Sequence, residues 1–292
     1  MKSALVIGSR SMLGAQLCEQ LNARGVAVFT AGRSLDDDLF FDLNAPVIPE
    51  IEGRVVDTVF HCAASFSSDS EQGVSENFSV NTVSAWAICA LAKSLGARSV
   101  LYAGSVSSSY EQADPDNANS YGLSKGLAEQ IFSWSLRREG IRFCSLRFSQ
   151  IYDTQGLCCK HQPWFGRIVA YAARGMDLRM PKSEGVRNFI HVSDAADFMI
   201  RAMDRNLTGV LNIVHPESYT CDEIAEIAYG TFAAGGKIVH AEEKQPFRKV
   251  VFPDSQQAYT ALGGSPRINL DAGIRMIKEQ TGGAGFGPVD VL

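Results

Sequence analysis

The stretch Leu5-Val6-Ile7-Gly8-Ser9-Arg10-Ser11-Met12-Leu13-Gly14 limits what this chain can fold into more than any other. Ala4 to Ile7 is a continuous apolar run, the pattern of a strand buried on both faces of a parallel sheet. Gly8 then permits a tight turn, and Gly14 lets the following helix lie close on that sheet. The unpaired N–H groups and positive dipole end of such a helix suit a pyrophosphate, with no charged side chain needed. Ser11 stands where a Gly-x-x-Gly-x-x-Gly loop has its middle glycine, so a side chain is expected to crowd the phosphates unless the loop shifts. Two glycines alone also fit an ordinary strand-to-helix turn, and later residues decide between the two.

The 292 residues suffice for one large α/β unit or for a domain with a smaller appendage. A net charge of -5 argues against a general nucleic-acid partner. No apolar run reaches the length of a membrane span, and Met1-Lys2-Ser3 leads into a strand rather than a secretion signal, so a cytoplasmic protein without membrane contact is expected. Seven cysteines are odd in number and lack framework spacing, as in reduced proteins. Cys158-Cys159-Lys160-His161 is the one cluster that invites a metal, but adjacent cysteines do not form a Cys-x-x-Cys hook, and no metal is expected.

The first helix spans about Met12 to Ala23, and a second strand, Val26 to Thr30, ends at Ala31-Gly32-Arg33. In a dinucleotide fold an acid about 20 residues past the glycines receives the ribose hydroxyls. No Asp or Glu stands between Gly25 and Leu35. Arg33 is there instead, and Arg10 lies inside the glycine loop. Two guanidiniums at this corner suit a 2′-phosphate, so NADP is expected over NAD. Phe40 to Leu43 reads as a short third strand, with Asp42 placed either to meet an adenine edge or to cap a turn. Asp57 to Ala64 is the fourth strand, and its small residues Ala63 and Ala64 let a cofactor backbone pass close by. His61 reads as a packed residue. A long amphipathic helix is expected from about Glu76 to Leu95, carrying Asn81 either as a buried amide beneath the site or as helix surface.

The fifth strand, from Ser99, ends at Gly104-Ser105, and after a polar loop comes Tyr121-Gly122-Leu123-Ser124-Lys125. Ligands of an open parallel sheet lie beyond the carboxyl ends of its strands, so Ser105 emerges on the edge that carries the glycine loop. Tyr121 and Lys125, at i and i+4, share one face of the next helix. A carbonyl gaining a hydride builds negative charge and needs a proton donor. A phenol of pKa about 10 serves if an ammonium favours its phenolate, and Ser105 can orient the carbonyl. Alone, Tyr-x-x-x-Lys is also an ordinary exposed helical pair.

A glycine loop, a strand-end serine and Tyr-x-x-x-Lys in this order resemble the short-chain dehydrogenase/reductase superfamily. Arg187-Asn188-Phe189-Ile190-His191-Val192-Ser193-Asp194 resembles the Arg-Asp-Phe-Ile-His-Val-x-Asp signature of its extended branch, the nucleotide-sugar epimerases, dehydratases and 4-ketoreductases. Phe143 to Tyr152, Gly209 to Ile213 and Leu262 to Pro266 are similar to later features of that branch, so the likeness covers nearly the whole chain. It implies a doubly wound parallel α/β sheet of Rossmann type with a smaller C-terminal α/β substrate-binding lobe. Residues 1–152 would bind the dinucleotide and 153–292 the substrate, with 188–214 returning to the main sheet. It implies Ser105, Tyr121 and Lys125 as catalytic residues, Lys125 also on the nicotinamide ribose, and Arg187 on a substrate diphosphate. The cofactor residues would be Gly8, Arg10, Ser11, Met12, Leu13, Gly14, Arg33, Asp42, Ala63, Ala64 and Lys125. Arg10 in its loop is similar to the Gly-x-Arg-Gly pattern of the GDP-fucose synthase group, which supports NADP. The family also implies homodimers through the two long helices.

Substrate identity is expected to reside between Asp153 and Glu184, where Trp164, Phe165, Arg167 and Arg174 read either as substrate contacts or as helix packing and surface. Thr281 to Gly287 reads as a flexible tail. The leading expectation is an NADP(H)-dependent reductase of a nucleotide-linked 4-keto-6-deoxy sugar. An epimerase that oxidises and re-reduces its sugar on a retained NAD is the alternative. A non-catalytic dinucleotide-binding protein is a third, supported only by Ser11. Dehydratase chemistry would want an acid/base pair beside Ser105, and Val106-Ser107-Ser108 carries none.

Overall fold

A computed structural model describes residues 1–51, 53–109 and 114–289, and the chain divides into two compact units. The first comprises Met1–Phe148, Ala195–Ile213 and Pro253–Gly264. Six of its strands are β1 (Ser3–Ile7), β2 (Ala27–Gly32), β3 (Leu39–Phe40), β4 (Thr58–His61), β5 (Ser99–Ser105) and β6 (Arg142–Phe148). With the strand Gly209–Ile213 they form one parallel sheet of seven in the order Gly209–Ile213, β6, β5, β4, β1, β2, β3. The order reverses beside β1, which makes a doubly wound sheet with its ligand crevice at the carboxyl ends near β1 and β4. Ala4 to Ile7 are fully or nearly fully buried, as the apolar run requires.

Helix α1 (Met12–Ala23) starts where Ser11 leaves the loop. Ser11 adopts φ -71° and ψ 159°, a conformation open to any residue, and its Oγ accepts the Gly14 N–H at 3.1 Å. The serine in the middle-glycine position is therefore the helix cap. Gly8, at φ +82°, does need its freedom, and a Cβ on it would lie 2.7 Å from the Ala63 nitrogen. A Cβ on Gly14 would run into the Gly8 carbonyl oxygen, so the close seat of α1 on the sheet depends on that hydrogen.

The expected helix from Glu76 to Leu95 is instead three pieces. Helix α2 (Glu71–Asn77) passes into a π-helical turn at Phe78–Val83, and α3 (Ala85–Ser94) resumes. Ser70 caps α2, six residues before the start that amphipathicity suggests. Periodicity has no means of showing a π turn, in which one extra residue shifts the face. Helix α4 (Ser120–Arg138) is capped by Asn119, whose Oδ1 accepts the Gly122 N–H at 2.8 Å. The core between sheet and helices includes Tyr102, Phe132 and Phe143, with ring centroids 5.1 and 5.4 Å apart along that chain of contacts.

The second unit comprises Ser149–Asp194, Val214–Phe252 and Ser265–Leu292. The apolar stretch running to Tyr152 breaks at Ser149, and Gln150–Tyr152 pairs in parallel with Phe189–His191. Helices Pro163–Arg174, Cys221–Phe232 and Leu270–Thr281 surround buried Tyr152, Phe165 and Phe189. Asn188, where the family signature has Asp, is a buried hub. Its Nδ2 donates to the carbonyls of His215 and Glu217, and its Oδ1 accepts from Ser149 Oγ and His215 N. An amide both gives and receives here, which a carboxylate cannot do. The segment read as a flexible tail is anchored: Phe286 is buried, 6.2 Å from Phe165, and the Gly287 oxygen fills the space a Cβ on Gly166 would take. Glycine content signalled looseness, but these glycines serve close backbone approach. No helix among the described residues is long and apolar enough to cross a membrane.

Gly14→Ala is expected to lower stability by about 1–3 kcal/mol or more, read as a lower urea midpoint at unchanged slope. Gly230→Ala, on a helix with nothing within 4 Å of the added carbon, is expected to be neutral or stabilising. Equal midpoints for both variants would contradict the described seat of α1.

Candidate functional site

The expected phosphate cradle lies at the start of α1. The Met12 and Leu13 amides open α1, and the Ser11 carbonyl accepts the Ala15 N–H at 2.8 Å, so the first free amides point from the helix start. Ala63 is half-buried beside Gly8, and Ala64 is exposed. These features fit a dinucleotide, whose pyrophosphate needs free amides and small neighbours.

The adenosine corner differs from the sequence expectation. The loop after β2 folds back and places Asp37 against Gly32, so an acid does stand at the end of β2. Its Oδ1 accepts from Ser9 Oγ at 2.9 Å, its Oδ2 accepts the Ser34 N–H at 3.2 Å, and its side chain is 3% exposed. Arg10 is already paired, at 2.9 Å with Asp36 and 4.0 Å with Asp37. Arg33 is exposed. The missing acid was a matter of counting along the chain, since Asp37 returns in space to a strand end it has left in sequence. Asp42 lies past β3, and its Oδ1 accepts from Asn44 N at 3.0 Å, the turn-capping arrangement.

Ser105, Tyr121 and Lys125 come together in the first unit. A Cβ on Gly122 would strike the Ser107 carbonyl, and one on Gly126 would lie 3.3 Å from the Ser108 oxygen, so α4 rests directly on the turn that follows β5. That close rest sets the Tyr121 phenol beside Ser105, whose hydroxyl acts to lower its pKa. Ser105 is buried, and its Oγ also accepts the Ser107 N–H at 3.2 Å. Asn81 ties the assembly to the loop after β4. Its Oδ1 accepts the Ser65 N–H, and its Nδ2 donates to the Ser65 carbonyl and to Ser124 Oγ at 2.9–3.0 Å. Of the two roles weighed for Asn81, the buried amide is the one formed.

Lys125 is almost fully buried, and its Nζ donates to the Ala103 carbonyl at 2.7 Å and lies 4.1 Å from the Tyr102 ring centroid. Burial pulls its pKa down to about 7, although Glu129 one turn further favours the ammonium. Glu129 is shared with Ser145 Oγ at 2.6 Å and with Arg147, whose Nη2 approaches to 2.5 Å. Burial likewise pushes the Tyr121 phenol up to about 12, with the Ser105 bond acting against it. The expected pull of Lys125 on Tyr121 is not seen: Ser105 alone acts against burial of the phenol. His61 is buried at the end of β4 and stacked on Tyr102 at 5.2 Å; burial holds its ring neutral.

The remaining expected residues lie in the second unit. Arg187 is buried, with Nη1 donating to the carbonyls of Val186 and Arg248 at 2.8 Å and its guanidinium 5.5 Å from the Phe247 ring centroid. Trp164 and Arg167 line a cavity of about 300 Å3 with Met180, Lys244 and Phe247. Arg174 donates to the Ala170 carbonyl in its own helix, and Phe165 is core. Among the described residues no group of three or more His, Cys, Asp or Glu converges as a metal site.

A family model described as the NAD dependent epimerase/dehydratase family matches residues 4–214. UDP-glucuronic acid decarboxylase 3 of Arabidopsis thaliana is 28% identical over 260 residues, covering 82% of this chain and 72% of that protein. Among solved structures, MoeE5 in complex with UDP-glucuronic acid and NAD superposes with a TM-score of 0.79 at 21% identity over 96% of this chain and 99% of that one. MlghC, a GDP-mannoheptose C4 reductase from Campylobacter jejuni with NADP bound, gives 0.77 at 18% over 95% and 97%. The chain therefore belongs to the NAD dependent epimerase/dehydratase family, as an NAD(P)-dependent enzyme of the short-chain dehydrogenase/reductase type.

Proposed function

We propose that the chain is an NADP(H)-dependent reductase of a nucleotide-linked 4-keto-6-deoxy sugar. The observation that carries this reading is the convergence of Tyr121 on Ser105 beside Lys125, with no acid at Val106-Ser107-Ser108 to serve a dehydration. Relatives that act on UDP-glucuronic acid and a neighbour that reduces a GDP-linked sugar support a nucleotide sugar as substrate.

A bound reduced nicotinamide supplies the hydride. Ser105 donates a hydrogen bond to the keto oxygen and holds it against the phenol of Tyr121. Tyr121 gives that oxygen its proton, and its raised pKa keeps the donor form present until pH climbs toward about 12. Lys125 holds the nicotinamide ribose. Arg187 is assigned to a substrate diphosphate; two of its hydrogen bonds go to the Val186 and Arg248 carbonyls.

NADP is supported by Arg10 and Arg33. The Arg10–Asp36 pair is solvent-exposed and worth about 0–1 kcal/mol, so a 2′-phosphate can take the guanidinium from Asp36. Asp37 favours the second reading, an epimerase on retained NAD, because a fixed acid at the end of β2 suits ribose hydroxyls. We further assign a homodimer to the face where α3 and α4 expose Trp86 and Trp134, 50% and 49% accessible and 5.6 Å apart, beside Val83 and Leu123.

Tyr121→Phe is expected to lower kcat for NADPH-dependent reduction of a nucleotide-linked 4-keto-6-deoxy sugar by about 10²–10⁴-fold, with NADPH affinity intact. Isothermal titration of wild type should show NADPH bound more tightly than NADH, with Arg10→Ala losing about tenfold for NADPH alone; tighter NADH binding, or NAD copurifying with the chain, would overturn the reductase in favour of the epimerase. Light scattering should give twice the chain mass, falling to the single mass in Trp134→Glu; a wild-type monomer would contradict the dimer.

A further inference from the structure

Phe66 is an apolar side chain left 52% exposed in the loop between β4 and α2. Its ring meets Tyr121 edge to face, with centroids 4.5 Å apart and planes at 72°. The backbone on both sides of it is clamped. Ser65 is held through its N–H and carbonyl by Asn81, and its Oγ donates to Asn77 Oδ1 at 3.0 Å. Asn77 Oδ1 also accepts the Ser67 N–H at 2.9 Å, and its Nδ2 donates to the Ser67 carbonyl at 3.0 Å.

The same amides reach the helix that carries Tyr121. Asn77 Nδ2 donates to Ser120 Oγ at 2.9 Å, one residue before Tyr121, and Asn81 reaches Ser124 Oγ three residues after it. Asp69 adds a third tie by accepting the Ser120 N–H at 2.9 Å. Loop and helix start are thus one rigid piece, and Phe66 is the side chain it aims at the phenol ring.

We propose that Phe66 is a positioning residue for Tyr121: its clamped ring holds the phenol toward Ser105 and shuts water from one side of it. This rests on Tyr121 being the proton donor. Among the described residues, the titratable and polar groups that act on the phenol are Ser105 and Tyr102 from β5, with Asp69 engaged by Ser120 in the adjoining loop. None of the Phe66 contribution is charged, so it acts by excluding water, in the direction that favours the neutral phenol. An aromatic residue fixed on both sides also restricts the phenol ring, which a mobile loop would not do.

A fluorotyrosine placed at residue 121, whose phenol ionises at lower pH than tyrosine's, reads this directly by fluorine NMR titration of the full chain. Phe66→Ala is expected to lower the ionisation midpoint by about one pH unit and to alter the resonance width, and Phe66→Leu, which still excludes water, to restore most of the midpoint. In turnover the alanine variant should lose kcat about tenfold with KM for NADPH unchanged. A midpoint in both variants within about 0.2 unit of wild type would overturn the proposal and leave Tyr121 as donor untouched. Full turnover by Tyr121→Phe would instead sink the donor reading, while the titration would still report what Phe66 does to the phenol.

Discussion

The geometry proposed for catalysis depends on a side chain that is absent. Helix α4 can rest on the turn after β5 only because Gly122 leaves room for the Ser107 carbonyl, and from that contact Tyr121 reaches Ser105. Gly14 plays the same part for α1 and the Gly8 carbonyl. In both places a helix is brought to van der Waals distance of a strand end, which is where an open parallel sheet presents its ligands. The site is thus a consequence of two close backbone approaches, and the side chains named for chemistry are placed by them.

Burial sets the electrostatics of that site. Burial moves Lys125 and Tyr121 both toward their neutral forms, and Glu129, which favours the ammonium, is shared with Arg147 and Ser145. A buried acid held by both an arginine and a serine cannot give its whole field to a lysine one turn away. At the end of β2 Asp37 is likewise a carboxylate already engaged, by the Ser9 hydroxyl and the Ser34 amide.

What could be read in the sequence follows the range of the forces involved. The apolar run Ala4 to Ile7, the helix from Met12 and the Tyr121–Lys125 spacing are local patterns, and the fold and family follow from them. Asp37 has no signal in the sequence because its loop turns back, and a rule that counts residues has no term for a reversal. The π turn at Phe78–Val83 has no periodic signature of its own, because its one extra residue only shifts the apolar face partway along the helix. Phe66 carried no signal at all, since an exposed phenylalanine in a loop acquires meaning only from the ring it touches. The glycines of the C-terminal segment were read as slack, whereas Phe286 between them is buried.

The chain passes from one unit to the other after Phe148, Asp194, Ile213, Phe252 and Gly264. The edge strand of the large sheet, Gly209–Ile213, is therefore encoded between two stretches of the second unit. A single genetic crossover between relatives cannot trade one unit whole, because it splits the other. Trading either unit whole takes five crossovers at once, one at each passage.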